Sequence, residues 1–413
     1  MPRINNSGAR RAIPAVPVLA LDAFGAARAT LPALDDAPAV QQVSSGRIAI
    51  GMALRALGVG PGDRVLLPAY HSLSMVPPVQ WRGAEAVFYR VHPDTTVDLD
   101  DVARKIGPGV KAIVATHFFG FPQALAGLRA LCDAHRIGLI EDCAHCFFGE
   151  ADGVAVGSSG DYAIGSSMKF FPIFEGGCLV SHRHALPGQL QGAGLGFEAK
   201  AALNALEISF AEGRLPWLRA ALAPPLRLRT AVWNRVKARA AGARSDDGAA
   251  PAAPAAAPAL APSSSDSSFA FDPHWVDKRS SRFSRAVLRR AARARIVERR
   301  RRNYRELESA LAGAPGWRAL FPALPDGACP WVFPLLADQP ERLFARLAAH
   351  GVPMVRFGAA LWPGVDASVC ANSVELGRRL FGLPCHQALS GDERAWLHAT
   401  VRRALEDAAK AAP

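Results

Sequence analysis

The strongest constraint on this chain is a run of alternating strand and helix patterns from Ser45 to about residue 185. Helical spacing over Arg47–Leu57 stops at Gly58, and a short apolar segment, Arg64–Pro68, follows it. The same reading gives strands at Ala84–Tyr89, Lys111–Thr116 and Ile137–Ile140, with helices at Val97–Ile106 and Gln123–His135 between them. Asp161–Ser166 and Cys178–Ser181 read as later strands. A helix between two strands brings the chain back in the same direction, so such strands pair in parallel and need helical cover on both faces. The expected class is α/β with a mainly parallel sheet covered by helices. Ligands of such sheets sit beyond the carboxyl ends of the strands.

One strand end carries a carboxylate, in Leu139-Ile140-Glu141-Asp142-Cys143-Ala144-His145. Lys169 follows 27 positions later (169 minus 142) in a loop of small residues, Gly165-Ser166-Ser167-Met168-Lys169-Phe170-Phe171-Pro172, ahead of Glu175-Gly176-Gly177. A lone loop lysine is commonly a solvated charge, and a lone Asp after a strand is often a helix cap. Together, in this order, they match the needs of pyridoxal 5′-phosphate (PLP): a lysine to form a Schiff base with the cofactor aldehyde, and an acid to keep the pyridine nitrogen protonated so that the ring is an electron sink. Ser44-Ser45-Gly46-Arg47 opens a helix whose first N–H groups suit the cofactor phosphate, although an ordinary serine cap uses the same residues. Ser166 or Ser167 is a second candidate phosphate ligand. His145 either contacts the cofactor ring or its phenolic oxygen, or packs; His117, after a strand, is ambiguous in the same way. Gly176 and Gly177 permit a tight turn or a close backbone approach.

Composition removes other classes. No uninterrupted apolar run is as long as a membrane span. The apolar stretch Ala12–Ala27 follows two arginines, but Pro14, Pro17 and Asp22 interrupt it and no clean cleavage site follows, so it reads as mature, cytoplasmic protein. The seven cysteines have no paired metal-ligand spacing, which implies reduced thiols and no metal centre. A formal charge of +12 permits anionic partners. Much of it lies in Arg279–Arg302, where Phe283, Val287, Leu288, Ala291, Ala292, Ile296 and Val297 recur at helical spacing. That pattern is an amphipathic helix with a solvated, arginine-rich outer face, and no nucleic-acid motif accompanies it. Residues 238–268 are mostly Ala, Pro and Ser, too poor in large apolar groups to order themselves. The expected organisation is a large cofactor domain with an N-terminal arm (1–237), a disordered insert (238–268), and a linking arginine-rich helix with a small α+β C-terminal domain (269–413). The last contains Asn303–Leu311, Trp331–Leu336, Glu341–His350, Pro353–Arg356 and Asp392–Lys410.

These segments resemble the DegT/StrS family of PLP-dependent sugar aminotransferases, a divergent branch with the fold-type I aspartate aminotransferase architecture. The matching stretches are Ser45-Gly46-Arg47, Gly60 to Tyr70, Thr116 to Gly120, Glu141 to His145 and Gly157 to Gly177, with Arg299 to Tyr304 and Leu383 to His386 later. The resemblance implies Lys169 as Schiff-base lysine and proton shuttle, Asp142 on the pyridine nitrogen, His145 by the ring, and Ser166, Ser45, Gly46 and Arg47 on the phosphate. It also implies glutamate or another amino acid as donor, a keto sugar, nucleotide-linked, as acceptor, and a homodimer with the active site between subunits. Ser72 stands where many members carry the aromatic residue that stacks on the cofactor, leaving Tyr70 or His71 as substitutes. The segment expected to reach the partner's site is His274–Arg282. A PLP-fold protein serving as a non-catalytic sensor or scaffold is the alternative.

Overall fold

The computed structural model describes residues 13–27, 29–222 and 271–410; the expected insert at 238–268 lies outside them. Nine strands come first: β1 (Ala39–Val43), β2 (Arg64–Pro68), β3 (Glu85–Tyr89), β4 (Val110–Thr116), β5 (Gly138–Asp142), the short hairpin β6 (Glu150–Ala151) and β7 (Val154–Ala155), β8 (Tyr162–Gly165) and β9 (Gly177–Ser181). Seven of them form one sheet in the order β1-β9-β8-β5-β4-β2-β3. The pairs β3–β2, β2–β4, β4–β5 and β5–β8 are parallel, while β8–β9 and β9–β1 are antiparallel. The class expected from the alternation is the one observed. Every residue of β8 and β9 is buried, as a sheet covered on both faces requires.

Helices α1 (Gly46–Ala56), α2 (Val76–Trp81), α3 (Leu99–Lys105) and α4 (Ala126–His135) connect the strands, and α5 (Leu195–Ala211) follows β9. Helix α1 begins where Ser45 Oγ accepts the Ile48 N–H, and it ends before Gly58, whose φ of +69° a side chain would strain. One face of the sheet packs Ile48, Met52 and Leu54 of α1 against Val65, Val114 and Ile140. The other contributes Leu66, Ile113 and Leu139 to a cluster that continues into Phe333, Leu335 and Leu383 of an antiparallel sheet, β10 (Trp317–Ala319), β11 (Val332–Ala337) and β12 (Leu380–Pro384). The two sheets therefore share one buried layer.

The arginine-rich segment departs from expectation in two ways. It is two helices, α6 (Arg282–Arg290) and α7 (Arg293–Leu311), because the N-terminal arm takes the backbone groups at the joint. Gly25 N donates to Arg290 O and Ala292 N donates to Ala23 O, leaving Ala291 extended at φ −61° and ψ 140°. Nor is its charged face wholly solvated, since Arg300 is fully buried. The remaining helices are α8 (Pro340–Ala349), α9 (Ala367–Arg379) and α10 (Gly391–Lys410). Pro353–Arg356 contributes a single bridge, Val355 to Gly382. No helix among the described residues is long and apolar enough to cross a membrane.

Candidate active site

Parallel strands β4 and β5 end side by side at Thr116 and Asp142. The chain turns after Asp142, whose Oδ1 accepts the Ala144 N–H at 2.9 Å, while the His117 N–H donates to the Asp142 carbonyl at 3.0 Å. Burial pushes the Asp142 carboxyl above its usual range, opposed by the Ala144 N–H and by the charge of Lys169. Its neighbour Glu141 points to the other side of the strand and accepts from Gly157 N, Gly160 N and His117 Nε2. Burial alone would raise the Glu141 pKa, but His117 and the two amides hold it below the ordinary value. His117 Nδ1 in turn accepts from Gln123 N at 3.1 Å. Both ring nitrogens of His117 are thus used, one on Glu141 of β5 and one on the loop that leads to α4, while Glu141 carries the link on to the loop before β8. His117, Glu141 and Cys143 have their ligand atoms within 4.8 Å of one another, but these hydrogen bonds already occupy the histidine and the carboxylate.

Lys169 approaches the same strand end from the loop after β8. Burial lowers its pKa to about 8, with Asp142 pulling in the opposite direction, and its Nζ lies 4.5 Å from the ring centroid of Trp331. His145 is 3% exposed and its Nδ1 has no hydrogen-bond partner. Its ring centroid is 4.1 Å from that of Trp331, 4.8 Å from Phe357 and 5.7 Å from Phe119. Burial first, and the Lys169 charge second, push the imidazole pKa well down, so His145 is neutral at neutral pH. The indole face attracts the charged ammonium, but loss of water around the amine outweighs that attraction and favours the uncharged, reactive form.

Sequence reasoning missed Trp331, Phe357 and Phe119 as part of this site. Trp331 is placed by main-chain bonds: its N–H donates to Phe119 O at 2.8 Å, and the Cys329 N–H donates to Gly120 O. Gly120, at φ +94°, is where the two segments touch, and a Cβ there would overlap the Cys329 carbonyl. Of the proposed substitutes for the absent aromatic, Tyr70 is fully buried with its hydroxyl donating to Phe357 O, and Phe357 lies against both Tyr70 and His145. His71 stacks on Phe88 and uses both nitrogens, on Ala69 O and the Trp362 N–H. Ser72 Oγ pairs with Ser74 Oγ.

Three small-residue turns meet at the start of α1. Ser45, Gly46 and Arg47 lie at the start of α1, Ser166 follows β8, and Gly176-Gly177 leads into β9, with the Gly176 N–H donating to Ser44 O at 2.8 Å. A Cβ on Gly46 would sit 3.7 Å from Ser166 Cβ, so the helix start and that serine are in contact distance. Ser166 is 8% exposed, and the buried Ser167 Oγ has no partner. A Cβ on Gly177 would lie 2.5 Å from Gly46 N and Ser45 C and 2.7 Å from Gly165 O, all rigid backbone. Gly177→Ala is therefore expected to lower stability by about 3 kcal/mol by forcing the helix start off the sheet. Urea denaturation checks it; an unchanged midpoint would mean that the contact is slack.

All the sequence-identified site residues fall within the segment matched by one family model, the DegT/DnrJ/EryC1/StrS aminotransferase family, at residues 32–191. Residues 32–191 match that family's model. GDP-perosamine synthase of Vibrio cholerae is 36% identical over 143 residues, covering 34% of this chain and 39% of that protein. UDP-N-acetyl-3-dehydro-alpha-D-glucosamine 3-aminotransferase of Acidithiobacillus ferrooxidans is 34% identical over 164 residues, 36% of this chain and 42% of its own length. The chain thus spans well under half the length of these curated relatives. The fold likeness is longer: the aminotransferase TlmJ from Streptoalloteichus hindustanus matches with a TM-score of 0.58 over 90% of this chain and 87% of that one, at 22% identity.

Residues 32–191 present groups of the kind that PLP would need. A buried acid lies at a strand end, a half-buried amine feels its charge, and a helix start adjoins a serine. Two buried polar atoms, His145 Nδ1 and Ser167 Oγ, lack partners among the described residues.

Proposed function

We propose that the protein is a PLP-dependent aminotransferase that takes an amino group from an amino acid, glutamate being the first candidate, and delivers it to a keto sugar carried on a nucleotide. One observation carries the reading: the half-buried Lys169 converges with buried Asp142 and His145 at the carboxyl ends of parallel strands. The family domain and its sugar-aminotransferase relatives support the substrate class.

When bound, PLP supplies an aldehyde carbon that accepts the amino group and a pyridinium ring that takes up electrons. The protein's part is to hold and move protons. Asp142, fixed by the Ala144 N–H, would hold a proton on the pyridine nitrogen; as a buried anion it favours that cation strongly. Lys169, with its pKa lowered to about 8, keeps roughly a tenth of its amine neutral at pH 7, far more than an ordinary lysine, and that fraction can attack a carbonyl carbon or take a proton from the substrate carbon. Ser45, Gly46, Arg47 and Ser166 would hold the phosphate, using the first N–H groups of α1 and a hydroxyl. His145 and Trp331 close the site to water, which strengthens every charge interaction inside it. Tyr70 supports that wall through Phe357.

The test is the visible spectrum of the purified protein with PLP, before and after glutamate. A band that disappears with glutamate and returns with 2-oxoglutarate is expected. No band would overturn the reading. A band indifferent to every amino acid would favour a non-catalytic sensor or scaffold, the alternative that Ser72 in place of a stacking aromatic motivates. We further infer a cytoplasmic homodimer with small-molecule partners only; the compartment rests on the interrupted apolar stretch Ala12–Ala27 and the dimer on the family resemblance, and sedimentation of the purified chain tests the dimer.

A further inference from the structure

A guanidinium with no exposure to water normally faces a carboxylate, because an unpaired buried charge is costly. Arg300 on α7 has no such partner among the described residues. Its donors go to neutral oxygens: Nε to Gln387 Oε1 at 2.8 Å, Nη1 to the carbonyls of Pro330 and Trp331 at 3.0 Å each, and Nη2 to the Lys169 carbonyl at 2.8 Å. Its Cζ also stands 4.5 Å from the Phe170 ring centroid. Gln387, just past β12, completes the arrangement, its Nε2 donating to Phe170 O at 2.7 Å. Two consecutive carbonyls of the lysine loop, and the carbonyl of the residue whose indole faces the lysine amine, thus end on one planar donor group and its amide partner.

We propose that Arg300, together with Gln387, is a positioning residue: it ties the peptide of Lys169 to that of Trp331 and so holds the lysine amine over the indole, out of water. The proposal rests on the reading of Lys169 as the reactive amine. A planar fork suits this role in a way that a lysine ammonium does not, since its N–H directions are fixed and several carbonyls can be fixed at once. Burying a charge against carbonyls alone lowers stability relative to an apolar residue, so the arrangement makes sense as a device for geometry rather than for stability.

The experiment uses the full chain, treated with hydroxylamine and dialysed to remove any bound aldehyde. Trace acetic anhydride is applied across a pH series, and acetylation of the Lys169 peptide is read by mass spectrometry beside thermal melting. The native protein should label with a midpoint near 8. Arg300→Gln should raise the midpoint by about one pH unit, which is about tenfold less neutral amine at pH 7, and Gln387→Ala should move it in the same direction. A residue that only supports the fold would lower the melting temperature and leave the midpoint where it was; that result in both variants overturns the proposal. If Arg300→Gln does not fold, Gln387→Ala decides alone, because it keeps the guanidinium. A native midpoint near the ordinary lysine value of roughly 10.4 would instead overturn the reading of Lys169 itself.

Discussion

Replacing Lys169 by alanine is expected to abolish amino transfer, with a loss of at least about 10⁴-fold, and to remove the visible band formed with PLP. The loss is large because one side chain has two duties, covalent attachment and proton transfer, and no other amine is placed to take over. The side chain lies over Trp331 and feels Asp142, and truncation removes it without a packing defect that would itself unfold the protein. Turnover by single-exchange kinetics and the spectrum check the prediction together. A Lys169→Ala protein that still transfers amino groups would end the assignment.

The second large effect is expected at Asp142. Asparagine in its place keeps the shape and can still accept from the Ala144 N–H through its Oδ1, but it cannot hold a proton on a ring nitrogen. Losing one side of a buried charge pair costs about 3–5 kcal/mol, which corresponds to roughly 10²–10⁴-fold in rate if the pair is needed in the transition state. The melting temperature without cofactor should rise or stay level, because burial already raises the Asp142 pKa and an uncharged amide removes that desolvation cost. Opposite signs for activity and stability are the discriminating result. A parallel fall in both would mean that Asp142 is structural.

Much of this was legible in the amino-acid order because the signals are local. Strand ends, serine caps and glycine turns are decided within a few residues, so β2 was placed at Arg64–Pro68 without adjustment, and Asp142 fell at the end of β5. Lys169 was found because small residues and a carboxylate frame it in sequence. Trp331 and Phe357 were missed because only the meeting of distant segments brings them to His145; Trp331 sits at the start of an ordinary apolar strand pattern. Arg300 was misread for a related reason. Its neighbours in the run Arg299–Arg302 contribute the same charge, and only helical spacing, four residues after Ile296 and four before Tyr304, marks the one that turns inward. The break at Ala291 had no local signal either, since the groups that cause it come from Ala23 and Gly25.

The brace on the lysine loop also has a consequence for the order of events during synthesis. Arg300 lies 131 positions after Lys169, and Gln387 lies 217 after Phe170. A nascent chain that has released residues 32–191 carries Asp142 and Lys169, yet it lacks the two side chains that brace the lysine loop against Trp331. That brace is complete only when residues through Gln387 have left the ribosome and docked. Capture of a cofactor by Lys169 would wait for that docking.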